Sequence, residues 1–139
     1  MNSRLRRQDG SVAVEAAILA PVLLVLMLLV VYAGRAAQTD ADVRSAAARA
    51  ARAASLVGDA DTAVQTATAT AAANLSTAGI ICQDTDIAVD VDAFRAGGTV
   101  TTRVACEVSN ADIVLLTVPG SRWSIGSSTH VVDQHRGGG

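Results

Sequence analysis

Between Val12 and Tyr32 the chain is apolar at almost every position. Roughly twenty such residues are what a helix needs to cross the hydrocarbon core of a bilayer, and a small domain has no interior large enough to hide them. The run therefore reads as a membrane span, and the rest of the 139 residues suffices for one small domain after it. A secretory signal has a shorter apolar region, about 7–15 residues, before a small-residue cleavage site. Length favours the span, while the Ala33-Gly34 end keeps the cleavable signal as the lesser alternative. Pro21 falls within the run and removes one backbone hydrogen bond, a defect that membrane helices tolerate as a kink.

Arg4, Arg6 and Arg7 lie close together before the span, whereas Arg35 beyond it is soon followed by Asp40 and Asp42. This asymmetry keeps the N-terminus in the cytoplasm and places everything after Gly34 outside, so the expected location is the cytoplasmic membrane, crossed once.

Composition excludes several classes. Hydrophobic residues make up 50% of the chain but aromatics only 2%, which leaves few large side chains to wall a catalytic pocket. The formal charge is −2, all eleven basic residues are Arg, and no basic stripe is interleaved with aromatics, so nucleic acid is not an expected partner. There is no GxSxG elbow and no Gly-rich phosphate loop. The aspartates of DTDIAVDVD lack the spacing of a calcium loop, and His130 and His135 have no second pair of ligands. No catalytic residue, metal, cofactor or small-molecule substrate is expected, and the chain does not read as an enzyme.

One residue in the span needs a reason. Glu15 is a carboxylate near its cytoplasmic end, and at a bilayer centre such a group costs about 2.5–3.5 kcal/mol even on the lenient insertion scale. The simplest account is an interfacial side chain reaching the headgroups. The residues around it offer another. If the chain were cut between Gly10 and Ser11, the new α-amino group would lie at the (i, i+4) spacing from Glu15, where groups on a helix meet. An ion pair in a low-dielectric medium, with that amine or a neighbouring helix's, is preferred to an orphan carboxylate.

The basic leader RRQDG followed by SVAVE and an apolar helix resembles the processing site of type IV prepilins, which has a glycine, a cut, and a glutamate at the fifth mature position. The stretch DGSVAVEAAILAPVLLVLMLLVVYAG more closely resembles the TadE-like family, the minor pilin-like proteins of the tight-adherence (Flp) pilus system. The elements that carry it are Gly10, Val14-Glu15, the spacer Ala16 to Ala20, Pro21 and the run Val22 to Val31. The resemblance covers about the first 45 residues. It implies cleavage by a prepilin peptidase between Gly10 and Ser11, a role for Glu15 in processing or assembly, and partners among membrane lipid, other pilin or pseudopilin subunits and the pilus assembly platform. The chain departs from the major Flp pilins, which resemble a short helix carrying Glu-Tyr. Here Ala16 follows Glu15 and a sizeable domain is appended, which implies an accessory subunit. Loss of residues 1–10 removes three Arg and Asp9, leaving eight basic and twelve acidic residues and a net charge of −4.

Beyond the span, residues 35–57 contain no Pro or Gly and many Ala, so the helix is expected to continue. Asp40 and Arg44 sit at (i, i+4), and the small side chains of Ala47, Ala50, Ala51 and Ala54 permit close packing. Arg44, Arg49 and Arg52 make a basic face, for which ordinary solvation is the simpler account. Leu56 and Val57 precede Gly58, a helix stop. Asp59 then caps a second helix through Leu75, with Val64, Ala67, Ala71 and Leu75 on its inner stripe. The alternation of Thr and Ala from Thr66 to Thr70 leaves a strand open as the alternative there.

Period two takes over next. Ile87, Val89 and Val91 point one way and Asp86, Asp90 and Asp92 the other; Val100, Thr102, Val104, Cys106 and Val108 form the inner face of a following strand, after a turn through Gly97-Gly98. Cys82, near the start of the first strand, and Cys106, near the end of the second, approach each other in such a hairpin. In an exported domain they are expected to form a disulfide closing a loop of about two dozen residues. A third strand is expected over Trp123 to Val132 and a flexible tail over 133–139.

The fold class is thus α+β: a long N-terminal helix, a shorter second helix and a three-stranded antiparallel sheet. Its parts are a leader (1–10), a transmembrane helix (11–34), an extracytoplasmic domain (35–132) and the tail. The function expected is that of a pilin-like assembly subunit. The rival is an untrimmed, membrane-anchored binding domain that never polymerises.

Overall fold

The computed structural model describes residues 5–113 and 119–134. The elements are helix α1 (Leu5–Ser55), helix α2 (Ala60–Thr77), strands β1 (Asp84–Asp90) and β2 (Thr99–Ser109), a single helical turn α3 (Asn110–Ile113) and strand β3 (Ser121–Val131). The class is α+β, with a three-stranded antiparallel sheet in the order β1-β2-β3. The chain divides into two compact units, Met1–Arg35 and Ala36–Gly139.

The first unit is the apolar part of α1. Helix continues through Pro21, and the large apolar side chains from Val12 to Val31, apart from the half-buried Leu28, are 41–70% exposed. Each would cost on the order of 1 kcal/mol in water, and together they would outweigh the ~5–15 kcal/mol that stabilises a small domain. A helix apolar on all sides is stable in lipid or beneath protein. Among the described residues one helix is long and apolar enough to cross a membrane.

The second unit is two-layered. Ala46, Ala47, Ala50, Ala51 and Ala54 of α1 are fully buried, as are Ala63, Ala67 and Ala71 of α2, with Leu75 beside them. The N-cap of α2 is Asp59, whose carboxylate accepts from the Thr62 amide at 2.8 Å and from the Thr62 hydroxyl at 2.7 Å. These hydrogen bonds hold the exposed Asp59 carboxyl below its ordinary value. The Thr66 to Thr70 segment is helical, and the inner stripe begins at Ala63 rather than Val64, which is half-buried at its flank.

In the sheet, Val100, Thr102, Val104, Cys106 and Val108 are all buried on the inner face. Ile87 lies opposite Val104 and Val89 opposite Thr102 on that face. Val91 falls after the end of β1, and Cys82 lies two residues before its start. The connecting turn uses Gly97 at φ 75°, and a Cβ on Gly98 would fall 2.0 Å from the Ala93 carbonyl oxygen. Cys82 and Cys106 are joined by a disulfide with Cα atoms 5.3 Å apart. Residues 135–139, including His135 and most of the expected tail, lie outside the described residues.

The helix layer meets the sheet most closely at Gly126. A Cβ there would lie 2.6 Å from Arg44 Cα and 2.8 Å from both Arg44 N and the Val43 carbonyl oxygen, all α1 backbone. Gly126→Ala is therefore expected to destabilise the full-length protein in detergent by about 1–3 kcal/mol in chemical denaturation. An unchanged midpoint would show that β3 and α1 are not so close. The double variant Cys82→Ser with Cys106→Ser is expected to lose about 3 kcal/mol. Reductant should lower the wild-type midpoint by a similar amount and leave the variant's unchanged.

Candidate functional site

Gly10, Ser11 and Glu15 all lie on α1, which begins at Leu5 and runs through the Gly10–Ser11 peptide bond without a break. Gly10 is exposed, with no atom within 4 Å of where a Cβ would stand. Among the described residues nothing obstructs that side of Gly10. Ser11 N and Glu15 are one turn apart, a rise of about 6 Å. Glu15 is exposed and makes no hydrogen bond or salt bridge among the described residues. The structure thus puts the three sequence-derived residues on one helical turn and gives the carboxylate no partner there.

A second polar constellation, absent from the sequence reading, ties α1 to β3 within the other unit. Asp40 forms a salt bridge with Arg122 and accepts a hydrogen bond from Ser124 Oγ at 2.6 Å. Arg122 Nη2 also donates to the Ala36 carbonyl at 3.5 Å. The pairing expected at (i, i+4), Asp40 with Arg44, is not made as a salt bridge; Arg44 acts on Asp40 only through its charge. Burial pushes the Asp40 carboxyl up. The hydrogen bonds from Ser124 and Arg122, with the charges of Arg122 and Arg44, outweigh it and hold the group below 3.8. The missed signal was the parity of β3: Arg122, Ser124 and Gly126 alternate toward the helices, while Trp123 and Ile125 point out.

Nothing in either place assembles a metal centre: among the described residues no group of three His, Cys, Asp or Glu converges. The arrangement is instead that of a long apolar helix, long enough to cross a membrane, with one acid near its start, and a small α+β domain braced by a disulfide and an ion pair. The family model described as TadE-like protein matches residues 10–52. The match begins at Gly10 and takes in Glu15, Pro21 and the whole apolar run, so over this segment, about a third of the chain, the protein is similar to TadE-like proteins. No curated protein and no solved structure matches the chain.

Asp40 makes acid stability testable. Its folded carboxyl titrates below its unfolded value, so its contribution is complete above pH 3.8 and is lost as pH falls through the folded value. The carboxylate is about a third exposed, so the ion pair itself is worth little. Removing it leaves the buried Ser124 hydroxyl without its acceptor, and Asp40→Ala is expected to cost about 1–3 kcal/mol at neutral pH. The variant's stability should fall less than the wild type's as pH is lowered from 5 through 3.8 and below. Parallel pH curves would remove Asp40 as a contributor.

Proposed function

We propose that the chain is a minor pilin-like subunit of a tight-adherence pilus, trimmed between Gly10 and Ser11 by a prepilin peptidase and held by α1 in the cytoplasmic membrane with its domain outside. The observation that carries this reading is the extent of the TadE-like match. It starts on the glycine of the expected cut and spans the acid one turn beyond it. Three Arg in the leader support a cytoplasmic N-terminus.

Trimming solves the problem that Glu15 poses. The new Ser11 ammonium carries a full positive charge at the N-terminal end of the helix, where the macrodipole also favours a carboxylate. Glu15 then has a partner on its own chain or, where helices lie side by side with an axial offset, on its neighbour. The acid is a positioning group for processing or docking and performs no catalysis. The domain after it supplies surface to other pilin-like subunits or to the assembly platform. It needs no cofactor.

The test has two parts. Mass spectrometry of the protein from its native membrane is expected to find Ser11 as the N-terminus, and an intact leader in cells with active peptidase would sink the trimming step. Glu15→Gln is expected to abolish piliation while the protein still fractionates with the membrane. Normal piliation in that variant would favour the rival reading, an untrimmed anchored binding domain.

A further inference from the structure

The two outer faces of the second unit carry opposite charge. Gly126 fixes which side of α1 meets the sheet, the side of Val43 and Arg44. At 100° per residue Arg49 and Arg52 fall on the far side, one turn apart, and both are exposed. On the other layer, the sheet's outer face reads in rows across the strands. The first is Asp84, Glu107 and Trp123, and the next is Asp86, Ala105 and Ile125. Asp84 sits directly opposite Glu107, a like-charge pair that destabilises a sheet unless a cation joins it. Neither Asp84 nor Asp86 makes a salt bridge among the described residues, and neither does Arg49 or Arg52.

Beside these acids lie Trp123, the chain's single tryptophan, and Ile125, 47% and 46% exposed on the edge strand β3. An acidic strip flanked by an aromatic and an aliphatic side chain suits a guanidinium, which pairs with carboxylates while stacking on an indole. A half-exposed tryptophan with apolar neighbours has the character of a binding hot spot.

We infer that the outer face of the sheet docks on the exposed Arg49/Arg52 face of α1 in a second copy of this chain. The partner is argued from charge: the outer face of the sheet carries Asp84, Asp86, Asp90 and Glu107 against one cation, Arg103, while the α1 face presents Arg49 and Arg52. The contact is front to back, so each copy uses two different surfaces, and the association is heterologous and can propagate in a row. It involves neither Gly10 nor Glu15 and stands or falls separately from trimming. Because the charges are exposed, salt screens the contact, whereas association through the apolar helix would not weaken with salt.

The experiment uses the full-length protein in non-ionic detergent, with self-association followed by sedimentation velocity from about 20 mM to 500 mM salt, a range that crosses the Debye length of the contact. Wild type is expected to associate at low salt and dissociate as salt rises. The double variants Arg49→Glu/Arg52→Glu and Asp84→Arg/Asp86→Arg are each expected to associate roughly tenfold more weakly. Mixing the two should restore hetero-association, because the reversed helix face of one meets the reversed sheet face of the other. Trp123→Ala, with unchanged circular dichroism, should weaken association without changing its salt dependence. The proposal is overturned if wild type does not associate at low salt, if either double variant associates as wild type does, or if mixing restores nothing. Loss in the arginine variant alone would assign that face to some other anionic surface, and also overturns it.

Discussion

The domain depends on how closely a helix can lie on a sheet when almost every side chain between them is small. Most of its buried hydrophobic residues are Ala, with Val43, Val100 and Val104 among the largest fully buried side chains. Small groups stabilise only if the backbones come together, because each methyl gains its dispersion and desolvation energy from near neighbours and gains little across a gap. Gly126 permits that approach. A Cβ there would overlap α1 backbone, which cannot rotate aside as a side chain can. The disulfide, closing a 24-residue separation, compensates for a core too thin to restrain the chain by packing alone.

The same approach explains the inverted polarity of β3. With the α1 backbone pressed against the middle of the strand, there is no room on its inner face for a tryptophan or an isoleucine. Ser124 and Gly126 occupy it, and Trp123 and Ile125 are turned outward. Inward polar groups need partners in a low-dielectric layer, and Asp40 supplies one to both Arg122 and Ser124. The exposed apolar face of β3 and the half-buried ionic contact beneath it are thus two results of one steric condition.

This also marks where sequence reasoning ran out. The faces of β2 were legible residue by residue, because alternation in Val100, Thr102, Val104, Cys106 and Val108 is a local signal with a single geometric meaning. The cap of α2 was legible for the same reason: Asp59 and the Thr62 amide that donates to it lie within one turn. The Asp40–Arg122 pair joins residues 82 positions apart, and nothing within the first helix distinguishes Arg44 from a more distant cation as partner. In β3 the hydrophobic rule points the wrong way, since the face with the larger apolar side chains is the outer one. Of the N-terminal site, the residues and their spacing were legible, because a helix converts sequence separation directly into distance.

That conversion sharpens the question of Glu15. On α1 the basic residue nearest on the leader side, Arg7, is eight positions away, a rise of about 12 Å. On the other side Arg35 is twenty positions away, about 30 Å along the axis and beyond the apolar run. In the uncut chain the Ser11 nitrogen is an ordinary helical amide and carries no charge. Along the helix axis no basic residue lies within a turn of the acid, and among the described residues it makes no salt bridge. A cut at Gly10 changes one atom from amide to ammonium at about 6 Å, and in low dielectric this outweighs the weak, distant charges of the leader that is lost. The acid is then costly before trimming and compensated after it. If the chain is cut there as proposed, that difference in free energy would let a single carboxylate discriminate a mature helix from an immature one without any change in fold.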